Sequence, residues 1–83
     1  MSENNKFSLT KLQQDEVGIV DGLRGGHAFQ QKLNSMGIRP GKKITKISNM
    51  MMNGPVTVKV DNSSIAIGRG MADRIIVKRV KEG

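Results

Sequence analysis

The chain has 83 residues, the length of a single small domain, and its 36% apolar and 25% charged residues are typical of a folded soluble protein. It contains no cysteine, which excludes disulfides and thiolate metal sites. Fourteen Lys and Arg against seven Asp and Glu give a formal charge of +7, which would attract nucleic acid, an anionic membrane surface or an acidic partner. No apolar run approaches the roughly 20 residues of a membrane span and the N-terminus lacks the apolar core of a signal peptide, so we expect a cytoplasmic protein.

The N-terminal part of the chain predicts a loose end followed by two short segments. Residues 1–6 are polar and are expected to be flexible. Three apolar side chains of "FSLTKL" are expected to turn inward: Phe7, Leu9 and Leu12. The stretch "EVGIVDGL" predicts a strand with bends at its glycines, in which Val17 and Ile19 face the core and Val20 faces the other side.

In "HAFQQKLNSM" the spacing of apolar residues changes from that of a strand to that of a helix. Phe29, Leu33 and Met36 are spaced by four and three, which places them on one face of a helix of about ten residues. A helix this short does not persist alone in water, so it must pack on the rest of the domain. The single histidine, His27, lies at the predicted helix start, where a solvent-facing role is favoured over a role as metal ligand.

A compact corner, "KLNSMGIRPGKKI", follows the helix. Gly37 stands where a left-handed residue ends a helix in a Schellman motif, with Ile38 packing on Leu33. Pro40 and Gly41 suit the two central positions of a type II turn. Gly37, Pro40 and Gly41 are therefore predicted to be structural turn residues that close the helix and start the next strand.

The second half of the chain predicts four strands and one helical turn. In "KKITKIS", Ile44 and Ile47 do not alternate, which indicates a bulge or a strong bend. In "VTVKV", the clearest strand, three valines share one face: Val56, Val58 and Val60. "SIAIG" and "RIIVKRV" are further short strands, and "RGMAD" between them suits a single helical turn. About five short antiparallel strands with one short α-helix packed on them predict a mainly β protein, a small and strongly bent β-barrel.

The sequence offers no pattern for catalysis or tight ligand binding. It has a single histidine, scattered carboxylates and no phosphate-binding GxxxxGK[ST] loop. We therefore predict a protein that is not an enzyme, with no catalytic, cofactor-binding or metal-ligating residues. For the methionine run Met50, Met51 and Met52, three interpretations stay open: loop packing, contact with a partner, or binding of a soft metal such as Cu(I).

Four stretches, in this order along the chain, resemble the FeoA family of bacterial ferrous iron uptake: "GIVDGLRGG", "KLNSMGIRPGKKI", "NGPVTVKV" and "IAIGRGMADRIIV". The resemblance covers residues 7–80 as one domain and leaves 81–83 as a C-terminal tail. It implies an SH3-like β-barrel with the helix packed across it, a fold that also occurs as the C-terminal domain of iron-dependent repressors. Departures from the family pattern are Gly68 and Gly70, where charged residues are common, and the methionine run.

The resemblance implies a non-enzymatic accessory or regulatory protein that binds the cytoplasmic GTP-binding domain of the FeoB transporter and meets the membrane only through it. We predict partner-binding residues in and after the corner: Lys42, Lys43, Lys46, Met50, Met51, Met52 and Pro55. No cofactor is expected beyond a weak association with divalent metal through the transport system, and a weak homo-oligomer stays open.

Two alternative functions stay open. No acidic residue lies between Asp21 and Asp61, and this basic stretch would also suit an SH3-like module that binds nucleic acid. Only two aromatic residues, Phe7 and Phe29, could stack on bases, which disfavours that function. The repressor-like fold would suit a domain that binds metal directly.

Overall fold

In the computed structural model, residues 6–48 and 54–80 are described. They form six strands: β1 (Lys6–Ser8), β2 (Val17–Leu23), β3 (Lys43–Ser48), β4 (Val56–Val60), β5 (Ser63–Ile67) and β6 (Ile75–Arg79). The α-helices are α1 (His27–Ser35) and α2 (Arg69–Ala72), and Leu9–Lys11 form a 3-10 helix after β1. Apart from Lys6, which begins β1, the N-terminal segment expected to be flexible lies outside the described residues, as does the tail 81–83.

The strands form one antiparallel sheet in the order β1-β6-β2-β3-β4-β5. The predicted mainly β fold with one main helix is confirmed, and two details differ. Lys6–Ser8 pairs with β6 and so adds a sixth strand. Within the described residues the edge strands β1 and β5 pair only with β6 and β4, so the sheet is not closed into a barrel.

The core lies on the inner face of the bent sheet. The three valines of β4 are at most 4% exposed, which confirms the face predicted for this strand. Leu33 of α1 and Ala72 of α2 are fully buried, while Phe29 and Met36 are partly buried against the same cluster. The short helix thus packs on the sheet through the predicted face.

The face of β2 is the reverse of the one expected from its apolar residues. Val20 is 1% exposed, whereas Val17 and Ile19 are half-buried on the outer face. The inward position before Val20 belongs to Gly18, where an added Cβ would lie 3.3 Å from the Cβ of Val77. Glycine permits this close approach but carries no apolar signal, so the sequence pattern pointed to the wrong side.

The irregular pattern of β3 corresponds to a bulge. The pairing with β4 shifts register between Lys46 and Ser48, which confirms the predicted break in alternation. Before that point the strand alternates normally, so the inward residue after Ile44 is Lys46, and the half-buried Ile47 lies on the other side. A lysine therefore occupies a core position.

The corner after α1 follows the predicted turn chemistry. Gly37 has a φ of +89°, its N–H donates to the Asn34 carbonyl at 3.0 Å, and the Ile38 N–H donates to the Leu33 carbonyl at 2.9 Å. These two bonds define a Schellman motif, closed by the buried pair Leu33 and Ile38. Gly41, with a φ of +93°, follows Pro40 in a turn closed by the Lys42 N–H on the Arg39 carbonyl at 3.0 Å.

Candidate partner-binding surface

Of the residues predicted to bind a partner, those that the structure describes do not share one surface. Lys42 makes an ion pair with Asp61, 3.0 Å from Nζ to the carboxylate, and its side chain is 30% exposed. Lys43 is exposed on the outer face of the sheet, and Pro55 is exposed just before β4. Met50, Met51 and Met52 lie outside the described residues. The structure therefore does not bring the described members of this set together around the corner.

Lys46 is the member of that set that the structure places in the core. It is 2% exposed, and its ammonium donates to the Leu12 carbonyl at 2.7 Å and to the Thr10 carbonyl at 3.2 Å. Because these carbonyls lie at the end of the 3-10 helix, the charge satisfies backbone acceptors that the helix itself leaves free. The prediction that Lys46 contacts a partner is corrected: its ammonium faces the protein's own backbone.

The electrostatics of Lys46 follow from this burial. Loss of water around the ammonium lowers the pKa of Lys46 below its ordinary 10.5, and the positive charge of Arg69 lowers that pKa further. The carboxylate of Glu16 acts in the opposite direction. The Lys46 backbone also ties β3 to the turn before β2, since its N–H donates to the Glu16 carbonyl at 3.0 Å. Lys46 is thus a structural residue.

A row of side chains crosses the outer face of four neighbouring strands. Lys6 of β1 stands opposite Lys78 of β6, Lys78 opposite Ile19 of β2, and Ile19 opposite Lys43 of β3. Residues paired in this way share one face of the sheet. Two lysines therefore flank Ile19, one on each neighbouring strand.

The next row continues the same surface. Val17 stands opposite Thr45, and Thr45 opposite Lys59 of β4. Lys43, Lys59 and Lys78 are exposed and make no ion pair with any residue in the described ranges. We call Val17, Ile19, Lys43, Lys59 and Lys78 the lysine face. Lys59 and Lys78 alternate outward in their strands, but only the strand pairing places them beside Lys43, so the sequence pattern did not single them out.

A shallow groove of about 370 Å³ opens on the lysine face. Its lining combines apolar, polar and charged side chains: Glu16, Val17, Lys43, Thr45 and Val80. Glu16 at the rim accepts from the guanidinium of Arg79 and from the Gln13 N–H, and these donors hold the pKa of its carboxyl below the ordinary 4.5. The one carboxylate of the groove is therefore already engaged.

Two other classes of site can be checked on the described part of the chain. No helix in residues 6–48 and 54–80 is long and apolar enough to span a membrane. The same residues contain no group of three or more His, Cys, Asp or Glu side chains placed to hold a metal ion.

The chain is similar to known proteins over most of its length. The family model of the FeoA domain matches residues 7–79. A curated relative, "Putative Fe(2+) transport protein A" of Methanocaldococcus jannaschii, is 39% identical over 77 residues, which cover 93% of this chain and 92% of the relative.

Solved structures agree with this match. The crystal structure of an iron uptake regulatory protein (FeoA) superposes with a TM-score of 0.81 at 36% identity, covering 90% of this chain and 97% of that chain. A manganese-dependent transcriptional repressor gives a TM-score of 0.83 at 16% identity, with 96% of this chain matching 45% of the repressor, a likeness of fold alone. Because the domain model spans nearly the whole chain and a curated relative shares more than a third of its residues, the chain belongs to the FeoA family.

Proposed function

We propose that this protein is a non-enzymatic accessory protein of ferrous iron uptake, which acts in the cytoplasm by binding the GTP-binding domain of the FeoB transporter. The observation that carries the proposal is membership of the FeoA family, with a relative described as an Fe(2+) transport protein along nearly the same length. An accessory role for a domain of this size requires a surface that a larger protein can recognise. The lysine face, with three exposed lysines and half-buried apolar residues, supports the proposal as a candidate for that surface.

Charge supports a binding role. The chain carries a formal charge of +7, and three lysines of one sheet face have no ion-pair partner among the described residues. A surface of one sign speeds the encounter with a partner of the opposite sign and helps to orient it. The proposed partner surface on the transporter is therefore acidic.

The proposal is tested by calorimetric titration of the full chain into the soluble GTP-binding domain of the FeoB protein from the same organism. The titration is repeated without nucleotide, with GDP and with a non-hydrolysable GTP analogue. We expect saturable binding with a Kd of tens of micromolar or tighter in at least one of these states, and no heat with an unrelated basic protein of similar size. No binding in any nucleotide state at these concentrations would contradict the proposed function.

Nucleic acid remains the second candidate partner, because the same unpaired lysines would attract phosphates. The rings that could stack on bases are already occupied: the Arg79 guanidinium lies 4.7 Å from the centre of the Phe7 ring, and that of Arg74 lies 5.4 Å from the centre of the Phe29 ring. This occupancy disfavours base stacking, and titration with an oligonucleotide at low salt distinguishes nucleic acid from a protein partner. The likeness to the repressor concerns the fold, so a direct metal-binding function stays a prediction from the sequence.

A further inference from the structure

We propose that the lysine face docks an acidic segment of a partner protein whose apolar side chains fill the groove between the lysines. This inference deepens the proposed function, because it assigns the surface and the chemistry by which the protein would hold its partner. The proposed contact surface lies on β2, β3, β4 and β6, whereas the sequence alone predicted a contact around the corner and the methionine run.

The lysines are spaced to meet several carboxylates at once. Lys43 and Lys78 flank Ile19 on the two neighbouring strands, so their Cα atoms are about 10 Å apart, twice the spacing of strands in a sheet. Lys59 is a diagonal neighbour of Lys43 through Thr45. An extended segment that carries an acidic, an apolar and an acidic residue at successive every-second positions presents all three on one side, with its carboxylates about 13 Å apart, within reach of the long lysine side chains on either side of Ile19.

No ion pair within residues 6–48 and 54–80 balances the charge of the three lysines of the lysine face. Two carboxylates next to this face are already paired, Glu16 with Arg79 and Asp21 with Lys6 at 3.4 Å. Lys78 stands opposite Lys6, whose charge Asp21 already balances, so the ammonium of Lys78 is the one of the two without a counter-charge among the described residues. An acidic ligand would supply that counter-charge.

The floor of the surface is apolar. Val17, Ile19 and Val80 are half-buried, although they lie on the face of an antiparallel sheet that is normally polar when it meets only water. The methylene stems of flanking lysines can cover part of such residues. A groove of about 370 Å³ remains beside Val17 and Val80, which gives room for apolar side chains of the docked segment.

These features favour an acidic protein segment over the other occupants. A second copy of this chain would bring a basic face against a basic face. Nucleic acid would satisfy the lysines but would leave Val17 and Ile19 without apolar contacts, and neither phenylalanine ring lies on the lysine face. The combination of unpaired cations and branched apolar residues matches an extended segment on one side of which Glu alternates with Val or Ile.

The first test uses the isotope-labelled full chain and NMR titration at low salt with a ten-residue peptide in which Glu and Val alternate on one side, with Ser at every intervening position. We expect chemical-shift changes concentrated at the five residues of the lysine face. A matched peptide in which Ser replaces each Val should bind at least about fivefold more weakly, since an apolar contact is worth a factor of this order. Equal binding of the two peptides, shifts elsewhere, or no shifts at millimolar peptide would overturn the proposal. Tighter binding of an oligonucleotide at the same face would overturn it in favour of nucleic acid.

The second test uses two triple charge-reversal variants of equal net charge and the transporter's soluble domain. One variant carries Lys43→Glu, Lys59→Glu and Lys78→Glu; the control carries Lys11→Glu, Arg24→Glu and Lys32→Glu, at exposed positions outside the sheet. Circular dichroism checks that both fold. We expect both variants to lose affinity through their lower net charge, and the lysine-face variant to bind at least about tenfold more weakly than the control, since only it also loses the charge pairs in contact.

The outcomes separate the surface from the function. Binding of the transporter domain that both variants weaken equally, or that neither weakens, would refute the lysine face and leave the proposed function intact. Binding of the Glu-Val peptide without binding of the transporter domain would refute the proposed function and leave the lysine face as a site for another acidic partner.

Discussion

At the scale of single residues, the burial of the Lys46 ammonium costs free energy, and two hydrogen bonds to backbone carbonyls offset that cost. Removing an ammonium from water costs several kcal/mol unless strong acceptors replace the water. The carbonyls of Thr10 and Leu12 supply that replacement at 3.2 and 2.7 Å. Each of them would be left without its partner if the ammonium were absent.

We expect Lys46→Met to lower the free energy of unfolding by about 1–3 kcal/mol, because methionine keeps much of the packed stem but leaves two carbonyls unsatisfied. Lys46→Ala should cost more, about 2–5 kcal/mol, since a cavity is added. Urea denaturation of both variants and of the control Lys59→Met, at an exposed position, measures the difference. A Lys46→Met variant as stable as the wild type would mean that the bonds only offset the burial of the charge.

The buried ammonium also predicts a pH dependence. The pKa of Lys46 is below 10.5 in the folded protein, so between the folded pKa and 10.5 the unfolded chain binds more protons than the folded chain. The free energy of unfolding contributed by this group therefore rises with pH through that window. Subtracting the Lys46→Met values from those of the wild type between pH 7 and 11 isolates the contribution. A difference that falls with pH would contradict the assigned burial of the charged group.

Glu16 predicts how the free energy of unfolding depends on pH at the acid end. Its pKa is held below 4.5 by donors from Arg79 and Gln13, so its stabilising contribution is fully present above 4.5 and is lost as pH falls through the folded pKa. In acid titrations followed by thermal unfolding, Glu16→Gln should be less stable than the wild type at pH 7 and equal to it at the acid end. Asp15→Asn, at an exposed neighbouring carboxylate, serves as the control. A gap between wild type and Glu16→Gln that stays constant with pH would rule out this role.

At the scale of elements, the junction between α1 and β3 depends on two glycines with positive φ. An L-residue with a side chain pays about 1–2 kcal/mol for the left-handed conformation, so Gly37→Ala should lower the free energy of unfolding by that amount. The added Cβ would lie 3.7 Å from the side chain of Val60, an ordinary van der Waals contact, so the cost comes from the backbone conformation. Gly70→Ala in α2 is the matched control: its Cβ meets nothing within 4 Å, and alanine favours a helix. Equal effects of the two substitutions would exclude a special role for the Gly37 conformation.

The same elements show which parts of the fold can be predicted from the sequence. Features that depend on neighbours within a few residues can be predicted from the sequence. They are the inward face of the β4 valines, the buried position of Leu33 in α1 and the turn at Gly37. Features that depend on contacts between distant parts of the chain cannot be predicted in this way. The inward face of β2 is set by the contact of Gly18 with Val77, and the role of Lys46 by acceptors some 34 residues away in the chain.

Only part of the lysine face can be predicted from the sequence. Lys43 was predicted as a contact residue because it follows the corner, and it does lie on the lysine face. Lys59 and Lys78 join it through the order of strands β6-β2-β3-β4, which no periodicity reveals. A bulge in each of β2 and β3 further shifts the register on which those neighbours depend.

At the scale of the whole molecule, a formal charge of +7 should steer the protein toward an acidic partner before any specific contact forms. Steering depends on the summed charge, whereas the lifetime of the complex depends on the groups in contact. The two triple charge-reversal variants have equal net charge but differ in position, so their kinetics separate the two effects.

We therefore expect both variants to slow association with the transporter's soluble domain, and only the lysine-face variant to speed dissociation. Stopped-flow or surface-plasmon measurements between 20 and 300 mM salt give both rates. For the wild type, the association rate should fall about tenfold or more across this range, because screening shortens the reach of the field. A dissociation rate raised to the same extent in both variants would show that total charge, rather than the arrangement of Lys43, Lys59 and Lys78 around Ile19, holds the complex together.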